Sequence, residues 1–223
     1  MTVPSGELII FDLDGTLVDS VQQIIKSVNN ARILSGLAPR DPNEIFQLVG
    51  LAPAHFFSDL NIDDSKTEVL VRGFRRTLEQ VQFTSLDVYP STRDLLVFLR
   101  EKGFSLGVAT NKPTQNAKNL LEKVGLLEFF TLVQGSDNLR PKPSPQIINS
   151  VLSSAQWTFA VMVGDRTEDI QAAQSAGIPS IGVSQTAHNQ EELANAGAEL
   201  TFSCMKDLFK SVTESSVLDT LRA

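Results

Sequence analysis

The chain has 223 residues, 42% hydrophobic and 20% charged, so it is long enough to bury a core and has the composition of a globular protein. Its formal net charge of −7 argues against a general nucleic-acid-binding protein, which would normally present a basic surface. No apolar run approaches the roughly 20 residues that span a bilayer. The N-terminus also lacks the basic and apolar regions of a signal peptide. We therefore expect a cytoplasmic protein with neither membrane nor nucleic-acid partners.

The first element is a short apolar run at residues 8–11, which predicts a buried β-strand. The run stops abruptly at Asp12, Asp14 and Gly15. In an open α/β sheet, ligands bind at the carboxyl ends of the strands. We therefore expect these two carboxylates to take part in chemistry, and other functional residues to converge on them.

The next stretch has helical patterns and no clear strand. Apolar residues at helical spacing predict a helix from residue 19 or 20 to about residue 35. Asp41-Pro42 is a typical helix start, and this second helix should run to residue 48. A short helix is expected after Pro53, and a longer one from residue 64 or 65 to residue 82. We predict that residues 20–82 form an inserted helical cap domain, with residues 1–19 and 83–223 as the core domain.

The remainder alternates between the two kinds of element. In chain order it predicts helix 91–102, strand 104–109, helix 113–124, strand 130–133, helix 144–154, strand 159–163, helix 167–176, strand 180–183, helix 190–196 and strand 199–202. Such alternation is typical of a parallel sheet with helices on both faces. The fold class is therefore α/β, with a Rossmann-like parallel-sheet core.

Reactive side chains follow several of the predicted strands. Besides Asp12 and Asp14, they are Thr110-Asn111-Lys112, Lys142, and Asp165 with Asp169. Three carboxylates near one point repel each other, so they can lie close together at low energetic cost only around a cation. An all-oxygen site without histidine or cysteine favours Mg²⁺ over zinc. A lysine ammonium and a threonine hydroxyl are suited to phosphate oxygens.

Four motifs resemble those of the haloacid dehalogenase superfamily, in the same order and with similar spacing over nearly the whole chain. They are Phe-Asp-Leu-Asp-Gly-Thr (11–16), Ala-Thr-Asn-Lys-Pro (109–113), Lys-Pro-Ser-Pro (142–145) and Gly-Asp-Arg-Thr-Glu-Asp (164–169). The helical block after the first motif resembles that superfamily's helical cap. The second motif and residues 169–177 look most like the phosphoglycolate phosphatase branch.

The resemblance implies a Mg²⁺-dependent phosphatase of small phosphorylated metabolites. Asp12 would be the nucleophile and Asp14 the general acid and base. The metal would be held by Asp12, Asp165 and the backbone carbonyl of Asp14, with Asp169 in support. The phosphoryl group would be bound by Thr110, Asn111 and Lys142.

Two alternatives stay open. One is a phosphomutase similar to β-phosphoglucomutase, and the other is a non-catalytic metabolite-binding or regulatory protein on the same fold. In the cap, Arg75, Arg76 and His55 are candidates for recognising the substrate. Arg166 stands where the family more often has a small hydroxyl residue, and we expect it to pair with Glu168 or Asp169 or to lean towards the phosphate.

Overall fold

The computed structural model describes residues 5–84, 87–214 and 217–218. A parallel sheet and the helices around it make up most of this part of the chain. The strands are β1 (Ser5–Phe11), β2 (Ser105–Ala109), β3 (Leu132–Gln134), β4 (Gln156–Gly164), β5 (Ser180–Val183) and β6 (Leu200–Phe202). The helices are α1 (Val21–Leu34), α2 (Pro42–Leu48), α3 (Asp64–Glu79), α4 (Thr92–Glu101), α5 (Thr114–Lys123), α6 (Gln146–Leu152), α7 (Thr167–Ala176), α8 (Gln190–Asn195) and α9 (Met205–Glu214), with 3₁₀ turns at Pro53–Phe57 and Leu127–Phe129.

The six strands form one parallel sheet in the order β3-β2-β1-β4-β5-β6. This arrangement confirms the α/β fold class. The first strand lies inside the sheet, with β2 on one side and β4 on the other. Because all strands are parallel, their carboxyl ends lie along the same edge. The residues that follow β1, β2 and β4 are therefore brought side by side.

The sheet is covered on both faces, as a parallel sheet requires. Successive side chains of β1 point to opposite faces, so Ile9 and Phe11 belong to one apolar cluster while Leu8 and Ile10 belong to another. The first cluster includes apolar residues of α4, α5 and α9. The second includes those of α6 and α7. This double coverage explains why residues 8–11 are apolar at every position.

A second apolar core lies in the helical unit formed by α1, α2, the 3₁₀ turn at Pro53–Phe57 and α3, which we call the cap. Its buried residues include Ile24, Val28, Ile45 and Phe74, and they form a cluster separate from those of the sheet. The rings of Phe56 and Phe74 meet edge to face at 5.2 Å. The predicted domain boundaries at residues 20 and 82 stay a prediction. None of the described helices has the length and apolarity needed to span a bilayer.

The two connections between cap and core run beside each other. Val18 and Val88 form an isolated antiparallel bridge. Next to it, the Asp19 amide donates to the Asp87 carbonyl at 2.7 Å, and the Tyr89 amide donates to the Leu17 carbonyl at 3.2 Å. The sequence places the second connection at residues 83–90, of which 85 and 86 lie outside the described residues. The chain therefore enters and leaves the cap through paired segments.

Most predicted elements are present, with shifted ends. Strand β4 starts three residues before the predicted 159–163, because its first residues pair with Ser5 and Gly6 at the start of β1. Helix α3 ends at Glu79 rather than at residue 82. The helix α9 was not predicted. It packs against α4, where the rings of Phe98 and Phe209 meet at 6.2 Å.

Candidate active site

The predicted site residues of the core converge at the carboxyl edge of the sheet. Asp12 follows β1, Thr110 follows β2 and Asp165 follows β4. Lys142 comes from the loop before α6, and Asp169 from the first turn of α7. All five side chains are buried. Polar side chains rarely occupy a core unless they are paired, so their contacts indicate what the site is built to do.

Lys142 is the centre of the hydrogen-bonding network. Its Nζ atom lies 2.6 Å from Asp12 Oδ1 and 2.5 Å from Asp169 Oδ1. It also donates to the Ala109 carbonyl at 2.9 Å, which uses the third N–H of the ammonium. The lysine therefore links the ends of β1 and β2 to the first turn of α7.

Asp12, Asp165 and Asp169 form a buried carboxylate cluster, with one oxygen from each lying within 4.8 Å of the others. Thr16 donates to Asp165 Oδ1 at 2.7 Å, and Thr186 donates to Asp165 Oδ2. These contacts fix the orientation of Asp165, and sequence reasoning missed both threonines. Thr16 belongs to the first motif, but no contact was predicted for its side chain. Thr186 lies in a loop that has no recognisable motif.

Gly15 is required by the same packing. Its φ of +93° falls in the region that favours glycine. A Cβ atom at this position would lie 2.6 Å from Asp165 Oδ2. The turn after β1 can therefore approach the Asp165 carboxylate only without a side chain.

The electrostatics of the cluster show an excess of negative charge. Burial raises the pKa of Asp12 to about 8. The negative charges of Asp169 and Asp165 also raise this pKa, whereas the positive charge of Lys142 lowers it. Burial also raises the pKa of Asp165 to about 6. Burial alone would lower the pKa of Lys142, but Asp12 and Asp169 hold it above its ordinary range. One ammonium thus contacts two of the three carboxylates and does not balance their combined charge.

These residues fit a hard divalent cation. The donors are carboxylate oxygens, and the cluster contains no histidine or cysteine. Mg²⁺ prefers such donors and keeps several of its waters, which leaves coordination positions for a phosphate oxygen. A cation would also neutralise the negative charge of the cluster that Lys142 does not balance. Asp12, Asp165 and Asp169 are therefore the side chains suited to hold it.

Asp14 lies at the same edge, but its carboxylate is held by other partners. Ser20, just before α1, donates to Asp14 Oδ1 at 2.6 Å. Lys112 Nζ lies 3.0 Å from Asp14 Oδ2. Ser20 was not among the predicted residues, and Lys112 was named with the reactive side chains after β2 but was assigned no role. The Asp14 side chain is thus oriented separately from the carboxylate cluster.

A small cavity of about 50 Å³ lies between the cap and this edge of the sheet. Core residues Asp12, Asp14 and Lys112 line one side of it. The cap contributes an apolar wall and one arginine, Arg75. The cap residues of the wall are Ile24, Gly50, Leu51, Pro53, Phe56, Phe74 and Leu78.

Of the three cap residues proposed from the sequence, the structure places only Arg75 in the cavity lining. Its Nε atom is buried and has no hydrogen-bond partner among the described residues. Arg76 and His55 are exposed and do not line the cavity. Their position on the outside of the cap could not be deduced from helical spacing alone.

Thr110 and Asn111 both line the cavity. The Asn111 side chain accepts a hydrogen bond from the Lys142 amide at 2.8 Å and donates to the Gly50 carbonyl at 2.8 Å. The first bond fixes the loop that carries Lys142. The second joins the loop after β2, which carries Asn111, to the cap.

Arg166 is buried and reaches across to the cap. Its Nε atom lies 3.1 Å from Glu168 Oε2, so the expected pairing with Glu168 is present. Its contact with Asp169 is a hydrogen bond from the backbone amide to Oδ2 at 3.1 Å. Its other guanidinium nitrogens donate to the carbonyls of Val49 and Gln47, at 2.6 and 3.0 Å. The sequence did not indicate this contact with the cap.

Comparison with known proteins agrees with this geometry. Residues 9–183 match the family model described as haloacid dehalogenase-like hydrolase. The chain is 35% identical over 198 residues to the Probable phosphatase IndB of Dickeya dadantii, covering 85% of this chain and 86% of the relative. It is 33% identical over 207 residues to a phosphoglycolate phosphatase of Rhodospirillum rubrum, covering 87% and 86%.

A solved structure shows the same architecture. The crystal structure of a predicted phosphatase from Clostridium acetobutylicum superposes with a TM-score of 0.83 and 30% sequence identity, covering 96% of this chain and 100% of that one. Family model, relatives and fold thus agree across most of the chain. The protein belongs to the haloacid dehalogenase-like hydrolases.

Proposed function

We propose that the protein is a Mg²⁺-dependent phosphatase that hydrolyses a small phosphorylated metabolite through an aspartyl-phosphate on Asp12. One observation carries this proposal. The Asp12 carboxylate lies at the end of an interior strand, 2.6 Å from Lys142 Nζ, and faces a cavity that it shares with Asp14. Relatives named phosphoglycolate phosphatase support a substrate similar to phosphoglycolate.

In the first step, an Asp12 carboxylate oxygen attacks phosphorus, and the bond from phosphorus to the ester oxygen breaks. Asp14 gives its proton to that leaving oxygen, which departs as an alcohol. Lys142 and Thr110 hold the transferring phosphoryl group, since positioning and charge stabilisation dominate this chemistry. The bond from Lys142 to Asp12 keeps the nucleophile in place before substrate binds.

In the second step, Asp14 takes a proton from water, and the water oxygen attacks the phosphorus of the aspartyl-phosphate. The bond between phosphorus and the Asp12 oxygen breaks, releasing inorganic phosphate and the free carboxylate. Ser20 and Lys112 keep Asp14 oriented for both proton transfers. Mg²⁺ held by Asp12, Asp165 and Asp169, with the backbone carbonyl of Asp14, would supply positive charge that stabilises the phosphoryl oxygens.

The cap is proposed to select the substrate through Arg75. Lys112 and Lys142 are ion-paired, whereas no ion pair of Arg75 occurs among the described residues. A guanidinium in an otherwise apolar wall is suited to a carboxylate at the non-reacting end of the substrate. Cytoplasmic location and the absence of nucleic-acid and membrane partners stay predictions.

The proposal is tested by hydrolysis of p-nitrophenyl phosphate and 2-phosphoglycolate. We expect activity to require Mg²⁺ and to disappear in Asp12→Asn, because an amide cannot act as the nucleophile. Asp19→Asn is the matched control, since Asp19 is exposed in the same stretch of sequence. Full activity of the Asp12→Asn variant, or activity unaffected by a chelator, would contradict the mechanism.

The same assays separate the alternatives. A mutase would isomerise glucose 1-phosphate rather than release inorganic phosphate from it. A non-catalytic binding protein would turn over no member of a panel of phosphorylated metabolites, although such a compound would raise its unfolding temperature. Release of phosphate from 2-phosphoglycolate, and not from sugar phosphates, would establish the proposed substrate class.

A further inference from the structure

One segment of the cap, residues 47–50, is attached to the core by side chains from two core loops. Arg166 donates to the carbonyls of Val49 and Gln47, at 2.6 and 3.0 Å. Asn111 donates to the Gly50 carbonyl at 2.8 Å. The core thus donates three hydrogen bonds to carbonyls within four consecutive cap residues.

The fit around Arg166 is close. Gly50 has a φ of +90°, and a Cβ atom there would lie 2.4 Å from Arg166 Cδ. Glu168 holds the other side of the guanidinium. Arg166 is 4% exposed, and a buried guanidinium is stable only where its N–H groups have partners. Two of those partners belong to the cap, so this buried arrangement exists only while the cap lies against the core.

The same two core residues also contact the catalytic groups. The Arg166 amide binds one oxygen of Asp169, and the other Asp169 oxygen binds Lys142 Nζ. The Asn111 side chain binds the Lys142 amide. Each residue therefore contacts both the cap and the network around the nucleophile.

We propose that Arg166, assisted by Asn111, is a positioning residue that couples closure of the cap to the arrangement of Lys142 and Asp169. An open cap would return the guanidinium to water, so these hydrogen bonds favour the closed state, together with those that Asn116 and Lys123 of α5 donate to Glu79 at the end of α3. A substrate that bridges cap and core shifts the balance further towards closure. The kinetic part of the test rests on the proposed phosphatase function, whereas the exchange part does not.

The kinetic test uses Arg166→Met, which keeps an unbranched apolar side chain and the backbone amide that binds Asp169, but removes every side-chain donor. Because two charge-assisted hydrogen bonds to the cap are lost, we expect the KM for 2-phosphoglycolate to rise by roughly 10- to 100-fold. The kcat should stay within about twofold, because saturating substrate restores closure. Arg166→Lys should give an intermediate KM.

Arg93→Met is the matched control, because Arg93 also donates to a backbone carbonyl, that of Gly125 at 2.7 Å, but entirely within the core. Its KM should equal that of the wild type. An equal rise in KM for the control would overturn the proposal. A fall in kcat and unfolding temperature at constant KM in Arg166→Met would assign Arg166 a merely structural role and would also overturn it.

Hydrogen exchange provides the readout that does not need activity. In the metal-loaded protein, Arg166→Met should speed exchange in residues 47–53 and leave the amides of α3 unchanged, because the cap would detach without unfolding. Unchanged hydrogen exchange at residues 47–53 in Arg166→Met would overturn the proposal. If the wild type hydrolysed no phosphomonoester, the proposed function would fail while the exchange result still decided the role of Arg166.

Discussion

Asp12 and Asp14 are two residues apart and lie in different surroundings. Asp12 faces Lys142 and the other two carboxylates of the cluster, whereas Asp14 faces Ser20 and Lys112 beside the cap. When two carboxylates have different environments, they can take different roles. The position within the cluster suits Asp12 to the nucleophile, and the position beside the cavity suits Asp14 to proton transfer.

Arg75 gives a prediction about selectivity. We expect Arg75→Gln to lower kcat/KM for 2-phosphoglycolate by roughly 10- to 100-fold, because a charge-assisted contact with the carboxylate is lost. For 2-hydroxyethyl phosphate, which has a hydroxymethyl group in place of the carboxylate, the change should be less than about threefold. Steady-state kinetics on this matched pair of substrates measure the difference.

Arg76→Gln is the control, since Arg76 is the next residue of α3 and is exposed. It should leave both substrates unaffected. Equal losses on both substrates in Arg75→Gln would indicate a general effect on the cap rather than recognition of a carboxylate. Selectivity would then have to be sought elsewhere in the cavity wall.

Within the cap, one ion pair joins α1 to the segment before α3. The Arg32 guanidinium is buried and makes two parallel contacts with Asp59, at 2.8 and 2.9 Å. Its Nε also donates to the Ala38 carbonyl at 2.8 Å. Removal of one partner of such a pair leaves a buried charge without compensation. Asp59 therefore stabilises the cap from a position remote from the catalytic residues.

We expect Asp59→Asn to lower the free energy of unfolding by about 1–2 kcal/mol at pH 7, below the range for fully buried pairs because Asp59 is partly in water. Burial alone would raise the pKa of Asp59, but the hydrogen bond and charge of Arg32 lower it beneath its usual 3.8. This contribution is present at neutral pH and is lost as the pH falls through that lowered pKa. The urea midpoints of variant and wild type should therefore converge in acid.

Glu44→Gln is the comparison, because Glu44 pairs with Arg40 at an exposed site. Exposed pairs contribute little, so this variant should stay within about 0.5 kcal/mol of the wild type. A difference between Asp59→Asn and wild type that persisted at pH values well below the lowered pKa of Asp59 would show that charge is not its cause.

At the scale of the whole molecule, the sheet order brings the site together. The neighbours of β1 are β2 and β4, and these three strands are followed directly by Asp12, Thr110 and Asp165. Residues from distant parts of the sequence thus meet at one edge. The charge that accumulates there gives the final prediction.

We expect Mg²⁺ to raise the unfolding temperature of the chelator-treated protein, because it binds the folded carboxylate cluster and not the unfolded chain. At 100 times the dissociation constant, such binding adds about 2.7 kcal/mol of stability. The shift should disappear in Asp169→Asn and persist in Asp94→Asn, whose residue is exposed on α4. A shift of equal size in both variants would place the ion outside the cluster.

Much of this arrangement could be predicted from the sequence where a local pattern carries the information. Residues 8–11 predict an interior strand because both faces are buried, and the motifs around Asp12 and Asp165 identify the reactive edge. The fold class and the family were confirmed by the structure and the comparisons. The roles assigned to individual residues stay predictions.

Other features depend on tertiary contacts and left no local pattern. Thr186 is paired with Asp165 only because the loop after β5 folds over the end of β4. Arg166 was identified as unusual, but its partners are cap carbonyls, which any residue type supplies. Similarly, the first residues of β4 become a strand because β1 continues beside them.

The paired connections at Val18 and Val88 have a consequence for how this architecture varies. The segments that enter and leave the cap are hydrogen-bonded to each other, so the two ends of the cap are held together beside the sheet. The entropy cost of closing this long loop is therefore determined by that one pairing. For the core, the whole cap is therefore equivalent to one long loop whose two ends are fixed next to each other. A cap of another size, or with another cavity lining, can be joined at the same point while β1 and β2 keep their register. One hydrolytic core can therefore be combined with caps that select different substrates.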